Sequence, residues 1–184
     1  MPTRSLGCEE KRMKYAASCL LVLVLLTVPL LVSKKTTAEE KESLREVTLQ
    51  PALLTNMGFA LTLRAREGNG RIEMIVGFPE GQSIEMARRG EKAPRPLTHD
   101  IFKTFLDRNG WKVERVIVRD LVQGTFLADL ILEREGQKQV YDSRPSDAIA
   151  LALRSGAKIF VADKVFALQR LEDEKTPPTK RSIT

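Results

Sequence analysis

Asp142-Ser143-Arg144-Pro145-Ser146-Asp147-Ala148-Ile149-Ala150-Leu151-Ala152-Leu153-Arg154, followed by Ser155-Gly156, is the stretch on which the fold turns. Pro145 suits the first turn of a helix, and Gly156 supplies its stop. Between them the run AIALAL is apolar almost all round. That pattern predicts a helix over 146–155 that is buried, rather than an amphipathic surface helix. A covered helix needs neighbours, and the flanking chain offers strands at Lys138–Ser143 before it and Ile159–Ala162 after it.

Working outward, Phe59, Leu61, Leu63 and Ala65 alternate with Ala60, Thr62, Arg64 and Arg66, the two-residue period of a half-buried strand. Glu67-Gly68-Asn69-Gly70 follows, and Asn-Gly predicts a tight hairpin turn into a returning strand over Arg71–Val76. Gly77-Phe78-Pro79 ends that strand, and Glu80–Arg89 suits a short helix. Thr98–Asn109 reads as a second helix with an apolar stripe of Leu97, Ile101, Phe102, Phe105 and Leu106, stopped by Gly110. Lys112–Arg119 and Thr125–Glu133 read as strands joined across Gln123-Gly124. Hairpins separated by helices predict a single α+β domain, with a mixed or antiparallel sheet packed against three to four helices.

The rest of the chain divides by composition. Ala16–Val32, AASCLLVLVLLTVPLLV, carries no charge. As a helix it would reach roughly 25 Å, near the lower limit for a hydrocarbon core of about 30 Å. It predicts a transmembrane signal anchor after a cytoplasmic stub (1–15), or else a signal peptide whose removal would release a secreted protein. Basic residues flank both ends, so their count does not set the orientation. The usual arrangement of a near-N-terminal segment puts the domain on the extracytoplasmic, periplasmic side. Residues 33–46 read as a polar linker, 47–166 as the domain, and 167–184 as a disordered tail with little to bury.

Residues 47–166 hold 18 basic and 15 acidic side chains, a net +3. Such a mild excess excludes a strongly basic, non-specific binder of nucleic acid, so a nucleic-acid partner would need a local patch. Arg88, Arg89, Lys92 and Arg95 are one source. Both cysteines, Cys8 and Cys19, precede the domain, which excludes a disulfide or thiolate metal site within it. It also has no Gly-rich phosphate loop and no nucleophile elbow.

Three segments, in order, carry a resemblance: RPLTHD over 95–100; Val113–Val116 continuing to Asp120 and Gly124-Thr125-Phe126; and the opening stretch, 142–154. Together they resemble the bifunctional nuclease family, and the Gly77–Glu80 corner resembles that family's Gly-x-x-Glu pattern. The resemblance implies a compact α+β fold and a nuclease acting on DNA and RNA. The membrane segment departs from the family pattern.

Phosphodiester hydrolysis needs an activated water, stabilisation of the phosphoryl oxygens and help for the leaving oxygen. The candidate catalytic set is His99, Asp100, Asp142 and Asp147, with Arg144 and Arg115 as phosphate ligands. His99, the single histidine, is either a general acid or base or, with Asp100, a first-turn residue behind an N-capping Thr98. Asp142, Arg144 and Asp147 around Pro145 form either a phosphate site at a helix N-terminus or a structural Asp–Arg pair. Two carboxylates there repel an anion unless a cation intervenes. Magnesium held by Asp142, Asp147 and Glu80 would resolve the conflict, although the sequence does not require it. Glu80 is otherwise an ordinary first-turn acid. Arg115 either meets phosphate or pairs with Asp142. No organic cofactor is implied. The rival reading is a binding module in which the same residues form a structural polar network. Exposed hairpin edges also admit a homo-oligomer.

Overall fold

The computed structural model describes residues 43–175. Eight strands and four helices form the α+β domain expected: β1 (Leu44–Leu49), β2 (Leu53–Thr55), β3 (Gly58–Ala65), β4 (Arg71–Val76), α1 (Phe78–Arg89), α2 (Thr98–Arg108), β5 (Lys112–Val122), β6 (Thr125–Arg134), β7 (Gln137–Ser143), α3 (Pro145–Ser155), β8 (Lys158–Ala162) and α4 (Asp163–Lys175). The stub, the apolar stretch 16–32, most of the linker and residues 176–184 lie outside the described residues. Among the described residues, no helix is long and apolar enough to cross a membrane.

The sheet is mixed. β1 pairs antiparallel with β3 and β8, β8 pairs parallel with β5, and β5, β6 and β7 follow as an antiparallel meander. β3 meets β2 at Gly58–Ala60 and β1 at Leu63–Ala65, while β4 pairs along Phe59–Arg64. A strand has two edges, so β4 takes the edge that β1 and β2 leave. β4 and β7 therefore end the sheet, and the three-residue β2, paired with β3 alone, leaves a further short edge.

α3 packs on β5 and β6 and touches both α1 and α2. Its Ala148, Ile149, Ala150, Leu151 and Ala152 are all buried, as the all-round apolar run requires. Val116, Val118, Leu130, Leu132 and Val161 complete the core around it. α1 lies close against β3 because Gly81 has no side chain. A Cβ there would collide with the Phe59 ring and with that residue's own Cβ.

The structure corrects the sequence reading in three places. Residues 44–46, assigned to the linker, belong to β1, an inner strand whose Val47 is buried. The supposed disordered tail continues α4 as far as Lys175. On α2 only Leu106 of the proposed apolar stripe is buried, and Ile101, Phe102 and Phe105 face outward. The helical period located the stripe correctly but carried no information on what covers it.

Candidate functional site

Three helix starts and one strand end build the site. At the close of β4, Gly77 lets the Glu80 side chain fold back, since a Cβ there would lie 2.5 Å from Glu80 Oε2. Glu80 occupies the first turn of α1, with Ser83 buried further along the helix. His99 and Asp100 sit in the first turn of α2, whose N-cap is Leu97 rather than Thr98. Asp100 Oδ2 closes that turn by accepting from the Leu97 N–H at 2.8 Å. Arg144 is the N-cap residue of α3, Pro145 opens the helix, and Asp147 lies in its first turn.

A continuous polar chain joins these helices. Arg144 Nη2 donates to Glu80 Oε1 at 3.0 Å. Its Nε donates to Asp147 Oδ2 at 2.7 Å and its Nη2 to Asp147 Oδ1 at 3.0 Å. Asp147 Oδ1 also lies 3.1 Å from His99 Nε2, and Ser83 Oγ lies 3.0 Å from His99 Nδ1. Arg154 Nη2 donates to Ser83 Oγ at 2.9 Å, and its Nε to Asp100 Oδ1 at 2.7 Å. The partners assign the tautomer. An ionised Asp147 can only accept, which places the proton on Nε2, and Ser83, accepting from Arg154, gives its own proton to Nδ1.

Burial pushes the Asp147 carboxyl up, but hydrogen bonds from Arg144 and His99 outweigh it and hold the group below its usual range. Asp100 behaves alike. Burial raises it, and hydrogen bonds from Arg154 and the Leu97 amide bring it lower. Arg144 is held more firmly protonated by Asp147 and Glu80.

His99, Asp142 and Asp147 line one cavity of about 570 Å³ between α2, α3 and the end of β7. Phe102, Phe105, Trp111 and Tyr141 supply much of its remaining wall. Arg134 stacks on Trp111, its guanidinium carbon 4.6 Å from the ring centroid. The two distant motifs thus open on a shared hollow. Asp142 stands at its rim with a side chain 77% exposed.

Other assignments change. Asp142 pairs with Arg119 (2.7 Å), which also holds Asp129 (2.7 Å), so neither Arg144 nor Arg115 is its partner. Arg115 lies on β5 beside Glu114, its Nη1 3.8 Å from Glu114 Oε1, and it does not line the cavity. Asp100 is turned toward Arg154 and away from that cavity. Arg88 and Arg89, of the suggested basic patch, both bind the buried Glu85; Arg88 is half-buried, while Arg89 stays exposed together with Lys92 and Arg95. Among the described residues, no three His, Cys, Asp or Glu side chains gather as a metal-holding group. The Asp142, Asp147 and Glu80 trio does not converge on one point in this arrangement: Arg144 bridges Glu80 and Asp147, and Asp142 stands apart with Arg119.

Ser83, Arg119 and Arg154 were missed as site residues. Arg154 was legible in principle: it lies seven residues beyond Asp147, two turns along the same helix face. Ser83 and Arg119 had no local signal.

An α+β domain with three helix starts tied by an acid–arginine–histidine chain beside an aromatic-walled hollow is the class that fold and site define. The family model for the bifunctional nuclease domain matches residues 61–174, and the chain belongs to that family. An uncharacterized protein of Mycobacterium tuberculosis is 37% identical over 107 residues, covering 58% of this chain and 63% of that one. Bifunctional nuclease 2 of Arabidopsis thaliana is 30% identical over 106 residues, covering 55% of this chain and 32% of that protein. Bifunctional nuclease 2 of Oryza sativa subsp. japonica is 29% identical over 106 residues, covering 55% and 33%. The match thus spans less than two thirds of the length of each of these relatives.

Proposed function

We propose that this domain hydrolyses phosphodiester bonds of DNA or RNA at the His99–Asp142–Asp147 hollow, and that the apolar stretch 16–32 tethers it to the outer face of a membrane. One observation carries the catalytic reading. An imidazole and two carboxylates from segments more than 40 residues apart border one solvent-reachable cavity. The tether rests on the uncharged run of the sequence.

The roles follow from exposure and partners. Asp142, open at the rim, orients the attacking water and takes its proton as the new P–O bond forms. Arg144 does not itself line this hollow; its side chain, 66% exposed, keeps its grip on Asp147 and adds positive charge beside the cavity. His99 serves as the acid in its imidazolium form, its Nδ1–H then donating to Ser83 Oγ. It gives its Nε2 proton to the leaving oxygen as the old P–O bond breaks and is left neutral. It is reprotonated by way of solvent with the proton that Asp142 took from the water. Arg119 and Arg144 offset the acids that would otherwise repel a phosphate.

A specific observation favours the rival reading as a binding module. Both imidazole nitrogens and both Asp147 oxygens already have protein partners. The deciding experiment takes the full chain in detergent, freed of host nuclease, on single-stranded DNA and on RNA with magnesium and with EDTA. Asp142→Asn and His99→Ala should each lower cleavage by about 10²-fold or more. The EDTA sample reports whether a divalent cation such as magnesium is needed at all. Equal residual cleavage by the wild type and both variants would identify contamination and establish the binding module.

A further inference from the structure

The two ends of the sheet are treated differently. At β4, the α4 residue Gln169 covers the edge. Its Oε1 accepts from the Glu73 N–H at 3.0 Å and its Nε2 donates to the Glu73 carbonyl at 2.9 Å. A side-chain amide thereby satisfies the backbone groups through which another strand would add. At β7 every residue from Gln137 to Asp142 is exposed. The apolar groups near this edge are exposed too: Val140 61%, Tyr141 46%, and on α2 Ile101 61%, Phe102 41% and Phe105 58%. Tyr141, Phe102 and Phe105 share the wall of the hollow, which places α2 over this end of the sheet.

We propose that β7 pairs antiparallel with β7 of a second copy, centred on Val140, so that the sheet runs through the dimer and the outward face of α2 is covered. The strand's own sequence selects the occupant. Antiparallel pairing about Val140 sets Gln139 opposite the partner's Tyr141 and Lys138 opposite the partner's Asp142. Two-fold symmetry makes each pair twice. Lys138, Val140 and Asp142 project from one face of the strand. Opposite charges therefore meet across the junction on either side of a central valine pair, and join there the pairs each makes in its own chain, Lys138 with Glu114 at 2.6 Å and Asp142 with Arg119 at 2.7 Å. Shifting the register by two residues, to centre on Tyr141 or Gln139, removes that match. The two-fold axis leaves both helix layers on the same side of the joined sheet and brings the two α2 helices together. Their phenylalanines then close the open flank of each hollow.

Thiol cross-linking and charge exchange test this in the full chain in detergent, with Cys8 and Cys19 changed to Ser. Val140→Cys should give a disulfide-linked dimer on mild oxidation, because residues at the centre of an antiparallel pair have Cα atoms about 4.5 to 5.5 Å apart. Ile75→Cys, exposed on the guarded β4 edge, should not. The charge exchange carries Glu114→Gln and Arg119→Gln in every sample, so that the exchanged charges meet no like charge in their own chain. In that background Lys138→Asp should weaken association roughly tenfold or more in sedimentation, and Lys138→Asp with Asp142→Lys should restore it. Equal cross-linking of both cysteine variants, a monomer at all concentrations, or no recovery in the exchanged pair would each overturn the proposal. None of these readouts depends on cleavage, so they stand apart from the nuclease assignment.

Discussion

Glu85 shows how far a single side chain here departs from ordinary behaviour. It is buried, accepts three hydrogen bonds from Arg88 and Arg89 at 2.7 to 2.8 Å, and receives the Ala52 N–H at 3.3 Å. The hydrogen bonds from Arg88, ahead of the opposing effect of burial, bring its pKa from 4.5 to about 2. A depressed carboxylate contributes stability that is complete above its unfolded value and is lost as pH falls through the folded one. Glu85→Gln should therefore cost on the order of 2 kcal/mol at neutral pH in urea unfolding. That difference should shrink between pH 4.5 and about 2. Ser83 is the other informative residue. Ser83→Ala leaves His99 Nδ1 and one Arg154 N–H without their shared hydroxyl. A loss of about 1 to 3 kcal/mol is expected, read from the fluorescence of Trp111, the single tryptophan.

Among the elements, α1 and α4 have contrasting tasks. α1 must approach β3 closely enough to deliver Glu80 to Arg144, and Gly81 permits it. Gly81→Ala forces a methyl group onto the Phe59 ring. It should destabilise the fold by about 1 to 3 kcal/mol and reduce activity with it, measurable as a shifted urea midpoint. α4 guards an edge. Gln169→Ala uncovers the Glu73 backbone N–H and carbonyl. It should cost about 1 kcal/mol and make the chain scatter light sooner on gentle heating, because a bare edge invites foreign strands. No change in scattering would show that α4 shields β4 by bulk alone.

At the scale of the molecule, acid should loosen the junction at which α1 and α2 meet α3. Asp147 and Asp100 both titrate below the ordinary 3.8, Asp147 through Arg144 and His99 and Asp100 through Arg154 and the Leu97 amide, each against the opposing effect of burial. Their support for the α1–α2–α3 junction is full above pH 3.8 and disappears as pH falls through the folded values. Hydrogen exchange, corrected for its intrinsic pH dependence, should show α2 opening in that range while the inner strands β5 and β8 stay protected. Uniform opening of helix and sheet would place the acid-sensitive contacts elsewhere.

The amino-acid pattern alone determined much of this architecture. Local periodicity marked every strand from β3 onward, because alternation and turn residues are short-range signals. The AIALAL run marked α3 as the buried helix, since no surface helix tolerates apolar residues on all sides. The motif segments likewise located His99, Asp147 and Arg144. Tertiary structure alone decided the rest. β1 looked like linker because its stability comes from pairing with β3 and β8, both distant in sequence. The partners of each acid were equally out of reach: Asp142 meets Arg119 across two strands, and Ser83 meets His99 only once α1 and α2 converge on α3. Whether Ile101, Phe102 and Phe105 are core or surface also depended on packing, because a helical stripe records only that one face is apolar and not what lies against it.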